Sequence, residues 1–165
     1  PENGALRWQS EGPAATTANT MLWHKGLVFA SGGWPEHNLM AVRADGSGTI
    51  AWQKGIKSYV PSPVLIGDRL LVVQDANIIR LFDSESGKEF WKERLGRRGY
   101  SASPTVVGNV VYLPDETGEV HVFRAGDTFE KIASNRLEGD GMATPAICGG
   151  KIYLRTSSHL YCIGK

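Results

Sequence analysis

Short apolar runs separated by glycine-containing turns recur along this chain at a fixed spacing. The clearest run, Ser62-Pro63-Val64-Leu65-Ile66-Gly67-Asp68, returns as Ser103–Asn109 and again as Thr144–Gly150. The steps from Pro63 to Pro104 and from Pro104 to Pro145 are both 41 residues. Apolar runs of four to eight residues bounded by Gly, Asp or Asn indicate β-strands joined by tight turns.

Each copy of the repeat divides into four predicted strands. In the best-defined copy these are Pro63–Ile66, Arg69–Val73, Ile78–Phe82 and a fourth strand that carries Trp91. After Arg69 the second strand is continuously apolar, as expected for a strand that is buried on both faces. A period of roughly 40–45 residues with four short strands and no helix is typical of a β-propeller blade.

The repeats predict an all-β fold, a β-propeller of four repeats of about 41 residues, each a four-stranded antiparallel blade. The predicted units are an orphan last strand at 5–9, blades at 20–53, 62–95 and 103–137, and three strands of a fourth blade at 144–163. The orphan strand is of the kind that the last blade lacks. We therefore expect a fragment or half of a larger propeller, completed by a second half or by a homodimer, while a self-closed ring of four blades remains the alternative.

The segment Phe82–Trp91 carries a motif that identifies a repeat family. Asp83, followed by Gly87-Lys88 and then by Trp91, resembles the tryptophan docking motif of the PQQ-like (quinoprotein-type) β-propeller repeat. The resemblance extends over nearly the whole chain and implies that outer-strand side chains dock on the adjacent blade. The residues expected in this structural role are Trp8, Trp52, Asp83, Gly87 and Trp91, with Ile132, 41 residues after Trp91, in the equivalent place of the third blade.

The resemblance also raises an enzymatic alternative, a part of a PQQ-dependent quinoprotein dehydrogenase. Family members that use the quinone resemble one another in an adjacent cysteine pair, whereas Cys148 and Cys162 are far apart in this sequence. The predicted strand order separates them by two strand spacings, about 9–10 Å, which is too far for a disulfide. We expect two buried free thiols and no cofactor.

The sequence contains no recognisable catalytic or metal-binding motif. The four histidines, His24, His37, His121 and His159, lack the spacing of metal ligands, and His121 replaces Arg80 of the preceding repeat on the polar side of a strand. The glycine-rich elbows and phosphate loops of hydrolases and nucleotide-binding proteins are also missing. We therefore predict a protein that is not an enzyme and that holds no metal.

Composition limits the kind of partner. The formal net charge is +1, so bulk electrostatics give no reason to expect nucleic acid. No run approaches the roughly 18 apolar residues that cross a bilayer. The resemblance implies an extracytoplasmic scaffold, periplasmic or secreted, that presents loops to a protein or other ligand, although a purely structural domain of a longer polypeptide is also consistent with the sequence.

The predicted strand order brings the loops between blades to the same face as the loops between second and third strands. Aromatic and arginine side chains on such loops are enriched in recognition surfaces. The candidate binding face consists of Trp34, His37, Tyr59, Arg97, Arg98 and Tyr100. The alternative for the two repeat-equivalent tyrosines is local packing on their own blades.

Overall fold

The strands form four antiparallel meanders that follow one another along the chain. The computed structural model describes residues 3–164, which contain fifteen β-strands and no helix. The first sheet comprises β1 (Leu22–His24), β2 (Leu27–Gly32), β3 (Asn38–Arg43) and β4 (Ile50–Lys54). The second comprises β5 (Val64–Ile66), β6 (Arg69–Gln74), β7 (Ile78–Asp83) and β8 (Glu89–Arg94). The third comprises β9 (Thr105–Val107), β10 (Val110–Pro114), β11 (Glu119–Ala125) and β12 (Phe129–Arg136). The fourth comprises β13 (Ala146–Cys148), β14 (Lys151–Arg155) and β15 (Leu160–Ile163).

The predicted all-β fold of antiparallel repeats is confirmed, and the first hairpin of each sheet shows why the turns are rich in glycine. Gly67 and Gly108 have φ of 59° and 63°, in the left-handed region that side chains avoid. The predicted orphan strand is wrong as a strand, because residues 5–9 make no ladder in the structure. Without a neighbouring strand, their backbone has no partner for such a ladder.

Alternate side chains of each sheet point toward the sheets before and after it in the chain. We call the face toward the following sheet the front and the other face the back. The front of the first sheet packs against the back of the second through one apolar cluster, formed by Leu27, Phe29, Leu39 and Ala41 against Leu70, Val72 and Phe82. All seven side chains are buried, so this junction is an interior of close-packed apolar groups.

The second junction repeats the arrangement one sheet further along. The front of the second sheet contributes Leu71, Val73, Ile79 and Leu81, and the back of the third contributes Val111, Leu113, Phe123 and Ala125. Seven of these side chains are 0% exposed and Ala125 is 1% exposed. Burial of apolar surface between sheets is therefore the main stabilising contribution in the middle of the molecule.

Tryptophans from the outer strands contact the following sheet at the outer edge of these junctions. Nε1 of Trp52 donates a hydrogen bond to the Ser84 carbonyl at 3.0 Å, and a Cβ on Gly87 would lie 2.7 Å from the Trp52 ring. Nε1 of Trp91 donates to the Gly126 carbonyl at 3.1 Å. Each ring thus fixes an outer strand to the third turn of the next sheet.

Trp8 occupies a similar position at the back of the first sheet. A Cβ on Gly48 would lie 3.1 Å from Cε3 of Trp8, and the ring packs on Ala30, Met40 and Val42 at the back of that sheet. The segment around Trp8 therefore lies where the outer strand of a preceding sheet would dock, although it forms no strand itself.

Ile132 does not take the tryptophan position in the third sheet, so this expectation was wrong. Trp52 lies opposite Ala41 and Trp91 opposite Leu81, and in the third sheet the corresponding Val122 lies opposite Ala133. Ile132 is instead 45% exposed. The turn before β12 lacks the Asp–Gly–Lys spacing, which shifts the strand by one residue and reverses the direction of the side chain.

The third junction is less tightly packed than the other two. A largely apolar cavity of about 270 Å³ lies between the third and fourth sheets. Its lining consists of Tyr112, Val120, Val122, Asn135, Leu137, Ile152, Leu154 and Ile163. An alanine in the tryptophan position is consistent with this gap, because it places no large ring at the outer edge.

The front of the fourth sheet faces no other part of the described chain. Cys148 and Cys162 are free thiols, as expected, but both are exposed, so the prediction of burial was wrong. Leu160 on the same face is 74% exposed. Both cysteines lie on the predicted strands. No sheet among residues 3–164 covers this face, and burial in this fold comes from a neighbouring sheet.

Hydroxyl groups before the first strand of each sheet connect successive repeats. The backbone N–H of Thr20 donates to Oγ of Ser62 at 3.0 Å, that of Ser62 to Oγ of Ser103 at 2.9 Å, and that of Ser103 to Oγ1 of Thr144 at 3.0 Å. The same donor and acceptor therefore recur at every junction, in a constant direction along the chain.

Candidate functional site

One end of the sheets gathers two kinds of loop. We call it the loop face: the connections between sheets at 55–63, 95–104 and 137–145, and the turns between second and third strands at 33–37, 75–77, 115–118 and 156–159. The backbone N–H of Tyr59 donates to Oδ1 of Asp75 at 3.2 Å, and the N–H of Glu116 donates to the Gly99 carbonyl at 3.0 Å. These contacts hold both kinds of loop against one another.

Five of the six predicted binding residues have accessible positions on this face. Trp34 is 67% exposed, and His37, Arg97 and Arg98 are exposed as well. Tyr59 is half-buried, and a Cβ on Gly33 would lie 2.5 Å from its Cβ, so Tyr59 packs directly beside the residue that precedes Trp34. The structure thus brings Tyr59 to the Trp34 loop, while the two arginines lie in the next connection.

The prediction that Tyr100 belongs to the binding face was wrong. It is 1% exposed, its hydroxyl donates to the Leu95 carbonyl at 2.6 Å, and its ring meets that of His121 edge-on with centroids 6.2 Å apart. Burial, together with the nearby Asp115 carboxylate, raises the pKa of Tyr100. Tyr100 therefore remains a neutral structural hydrogen-bond donor, as in the local-packing alternative.

A buried polar group that sequence reasoning missed lies next to Tyr100. His121 is 2% exposed and Asp115 is 0% exposed, with Nε2 of the imidazole 3.4 Å from Oδ2 of the carboxylate. Burial alone would raise the pKa of Asp115, but hydrogen bonds from Thr117 and from the Glu119 backbone hold it below its usual range. Asp115 is therefore a buried anion at neutral pH.

A polar cavity opens beside this group. It has a volume of about 300 Å³, and its lining includes Glu119 and His121 together with three basic side chains, Arg94, Arg97 and Lys131. Glu119 is half-buried, and its carboxylate comes within 4.8 Å of the ligand atoms of Asp115 and His121. The cavity thus combines one carboxylate, an imidazole and three cationic side chains, next to the buried carboxylate of Asp115.

Within residues 3–164 no helix has the length and apolar character needed to cross a membrane.

Two matches to a family model cover residues 1–93 and 74–162, and the description of that family is "Outer membrane protein assembly factor BamB". Together the two matches extend over nearly the whole chain, in line with its tandem repeats.

Relatives and solved structures agree with this family. An outer membrane protein assembly factor BamB from Legionella pneumophila is 27% identical over 114 residues, which are 68% of this chain and 29% of that protein. BamB from Moraxella catarrhalis has a similar structure, with a TM-score of 0.70 and 20% identity, over 92% of this chain and 46% of that one. A europium-containing methanol dehydrogenase matches 73% of this chain and 24% of its own, with a TM-score of 0.58 and 15% identity, which shows a shared fold alone. The chain spans less than half the length of these proteins.

Proposed function

Because the chain belongs to the PQQ-like repeat family of outer membrane protein assembly factor BamB, we propose that it is a non-catalytic propeller segment that binds a protein partner outside the cytoplasm. The proposed surface is the part of the loop face formed by Trp34, His37, Tyr59, Arg97 and Arg98. The relatives are named as outer membrane protein assembly factors, so we propose a partner from that process.

The exposed indole of Trp34 is the observation that carries this proposal. The backbone on which it stands is fixed, because the N–H of Thr16 donates to the Trp34 carbonyl at 2.9 Å and the N–H of Gly33 donates to the Thr16 carbonyl at 3.4 Å. A large aromatic side chain on an ordered backbone loses little conformational freedom on binding and is the commonest type of interface hot spot.

The neighbouring side chains define the chemistry of the partner. Tyr59 extends the apolar surface beside Trp34, whereas Arg97 and Arg98 add positive charge in the next connection. Arginine pairs best with carboxylates, which accept two parallel hydrogen bonds. We propose a partner segment that offers an apolar or aromatic side chain to Trp34 and acidic residues to the two arginines.

Site-specific photocrosslinking tests this surface in the cells that produce the protein. Benzoylphenylalanine in place of Trp34 should give a discrete crosslinked species, and Arg97→Glu with Arg98→Glu should reduce its yield. The matched control is Val107, which is 50% exposed beside the Gly108 turn at the other end of the sheets. Equal crosslinking from positions 34 and 107 would contradict a specific loop-face partner.

We also propose that further sheets complete the ring, either from a second half or from a second copy of this chain. Two observations support this: Trp8 docks as an outer-strand residue without its own sheet, and the front of the fourth sheet is exposed at Leu160 and Cys162. Light scattering should give twice the mass of 17.9 kDa for the homodimer. Slow labelling of Cys148 and Cys162 in that species would locate the contact, whereas a monomer with two rapidly labelled thiols would exclude the second copy.

The quinoprotein dehydrogenase alternative is tested by adding pyrroloquinoline quinone with calcium. Ligand at a hundred times its dissociation constant stabilises a folded protein by about 2.7 kcal/mol, which is a readily measured rise in melting temperature. We expect an unchanged melting temperature. A clear rise would support the quinoprotein dehydrogenase alternative in place of the scaffold.

A further inference from the structure

We propose that Asp115, Glu119 and His121 form a binding site for a divalent transition-metal ion, with zinc as the best-matched ion. One imidazole and two carboxylates are a common set of protein ligands for zinc. The three potential ligand atoms lie within 4.8 Å of one another, and two of the three side chains are buried.

The distance between the two buried ligand atoms favours a shared ion over a direct contact. Oδ2 of Asp115 and Nε2 of His121 are 3.4 Å apart, longer than the 2.7–3.2 Å of ordinary hydrogen bonds. Two ligands that are each about 2.0–2.1 Å from a tetrahedral zinc lie about 3.3–3.4 Å apart. Oδ2 belongs to a carboxylate with no exposed surface, and among the described residues this long contact is its one hydrogen-bonding contact, so a cation between Oδ2 and Nε2 would satisfy it more fully.

Both buried ligands are held in place through their other polar atom. Nδ1 of His121 lies 3.0 Å from Oγ of Ser134, which leaves Nε2 free for a metal when Nδ1 carries the proton. Oδ1 of Asp115 accepts hydrogen bonds from the backbone and hydroxyl of Thr117 and from the backbone of Glu119. Such orientation by outer hydrogen bonds is typical of metal ligands in proteins.

The backbone next to these atoms keeps the space open. Gly96 has φ of 82°, and a Cβ there would lie 3.1 Å from both Oδ2 of Asp115 and Nε2 of His121. A side chain at this position would crowd both ligand atoms, and its Cβ would also lie 2.8 Å from the Tyr100 hydroxyl. The polar cavity lined by Glu119 and His121 provides the route from solvent and room for a fourth ligand.

The charges around the cavity set the expected strength of binding. Arg94, Arg97 and Lys131 line it, and their repulsion lowers the affinity for any cation relative to a site without them. The same side chains favour water deprotonation or an anionic group in the fourth position, since zinc with three protein ligands leaves that position open. We therefore expect a moderate, reversible zinc site.

Zinc titration of the metal-free intact protein tests this proposal. Calorimetry should show one zinc per chain, and cobalt(II) should give the visible absorption of a tetrahedral centre. Glu119→Gln and His121→Gln should each weaken binding at least tenfold, and Ser134→Ala by about tenfold, as for other outer hydrogen-bond partners of metal ligands. The matched control is His24→Gln, because Nε2 of His24 lies 2.8 Å from the Asp68 carboxylate in an exposed histidine–aspartate pair.

Glu119→Gln keeps the proposal falsifiable if the buried variants unfold, because the side chain of Glu119 is only half-buried and the substitution preserves its size. Unchanged circular dichroism with lost zinc binding in this variant supports the site. Equal zinc affinity of the original protein and Glu119→Gln, or an effect confined to His24→Gln, would overturn it. Absence of zinc binding by the intact protein would also overturn the proposal. The Asp115–His121 pair would then be a structural hydrogen bond.

Discussion

The second and third junctions use the same repeat positions but differ in packing. Between the second and third sheets, Leu71 and Leu81 have no exposed surface, and Trp91 fixes the outer strand to Gly126. Between the third and fourth sheets the corresponding Tyr112 and Val122 line a cavity of about 270 Å³, and Ala133 stands in the tryptophan position. The two junctions therefore differ in two features: the third has no outer tryptophan, and the sheet that follows it has three strands where the others have four.

Truncation of the repeat-equivalent front-face residues Leu81 and Val122 should show the largest difference in lost stability between the two junctions. Leu81→Ala should lower the free energy of unfolding by about 3 kcal/mol, because it leaves a cavity in a close-packed cluster. Val122→Ala should cost only about 1 kcal/mol, since its surroundings already contain a gap. Urea denaturation measures both, and equal losses would contradict the difference between the junctions.

Removal of the docking ring should have the next largest effect. Trp91→Ala should cost about 2–3 kcal/mol, because the half-buried ring loses its contact with Phe129 and its hydrogen bond to Gly126. Ile132→Ala, at the exposed position one residue off the docking register, should change stability by about 0.5 kcal/mol or less. A loss below about 1 kcal/mol for Trp91→Ala would show that the ring does not anchor the strand.

Substitution of two glycines with similar φ distinguishes the contribution of tryptophan docking to stability from that of backbone strain in the turn. Gly87→Ala places a Cβ at φ of 70° against the Trp52 ring, so we expect a loss of about 2 kcal/mol. Gly67→Ala, at φ of 59°, meets no atom within 4 Å and should cost about 1 kcal/mol from backbone strain. Matching melting temperatures for the two variants would mean that the contact with Trp52 contributes nothing.

The smallest expected effect is a gain. Ala133→Leu adds an apolar side chain at the outer edge of the loose third junction and should raise the free energy of unfolding by about 0.5–1 kcal/mol. The matched control is Ala133→Ser, which adds a polar atom of little volume and should not stabilise. A loss of stability for Ala133→Leu would place the cavity out of reach of this side chain.

The sequence predicted most of what lies within one repeat. The period, the strand positions and the glycine turns depend on neighbours in sequence, so the proline and Gly–Asp spacing was sufficient to find them. Ile132 shows the limit, because a shifted turn changes the register by one residue without changing the period. The burial of Tyr100 was missed because repeat-equivalent residues have different neighbours. Tyr59 is half-buried beside Gly33, whereas the ring of Tyr100 contacts the ring of His121.

The exposure of the last sheet was not predictable, because it depends on what lies against its front. Cys148 and Cys162 lie on the predicted strands, yet they are exposed because no described residue covers their face. The Asp115–Glu119–His121 group was missed because spacing between histidines was the criterion for metal ligands. The alternation of Glu119 and His121 on one strand, with an aspartate at the turn before it, was the available signal.

The hydroxyl links between successive repeats also bear on how such chains change in evolution. Each unit brings one acceptor, such as Oγ of Ser62, and one backbone donor for the next unit. Duplication of a whole 41-residue stretch of the gene therefore inserts a sheet that is already compatible with both neighbours, because contacts of this head-to-tail kind do not depend on how many units there are. A deletion that removes only part of a unit interrupts the series on both sides, so selection should favour gains and losses of entire repeats.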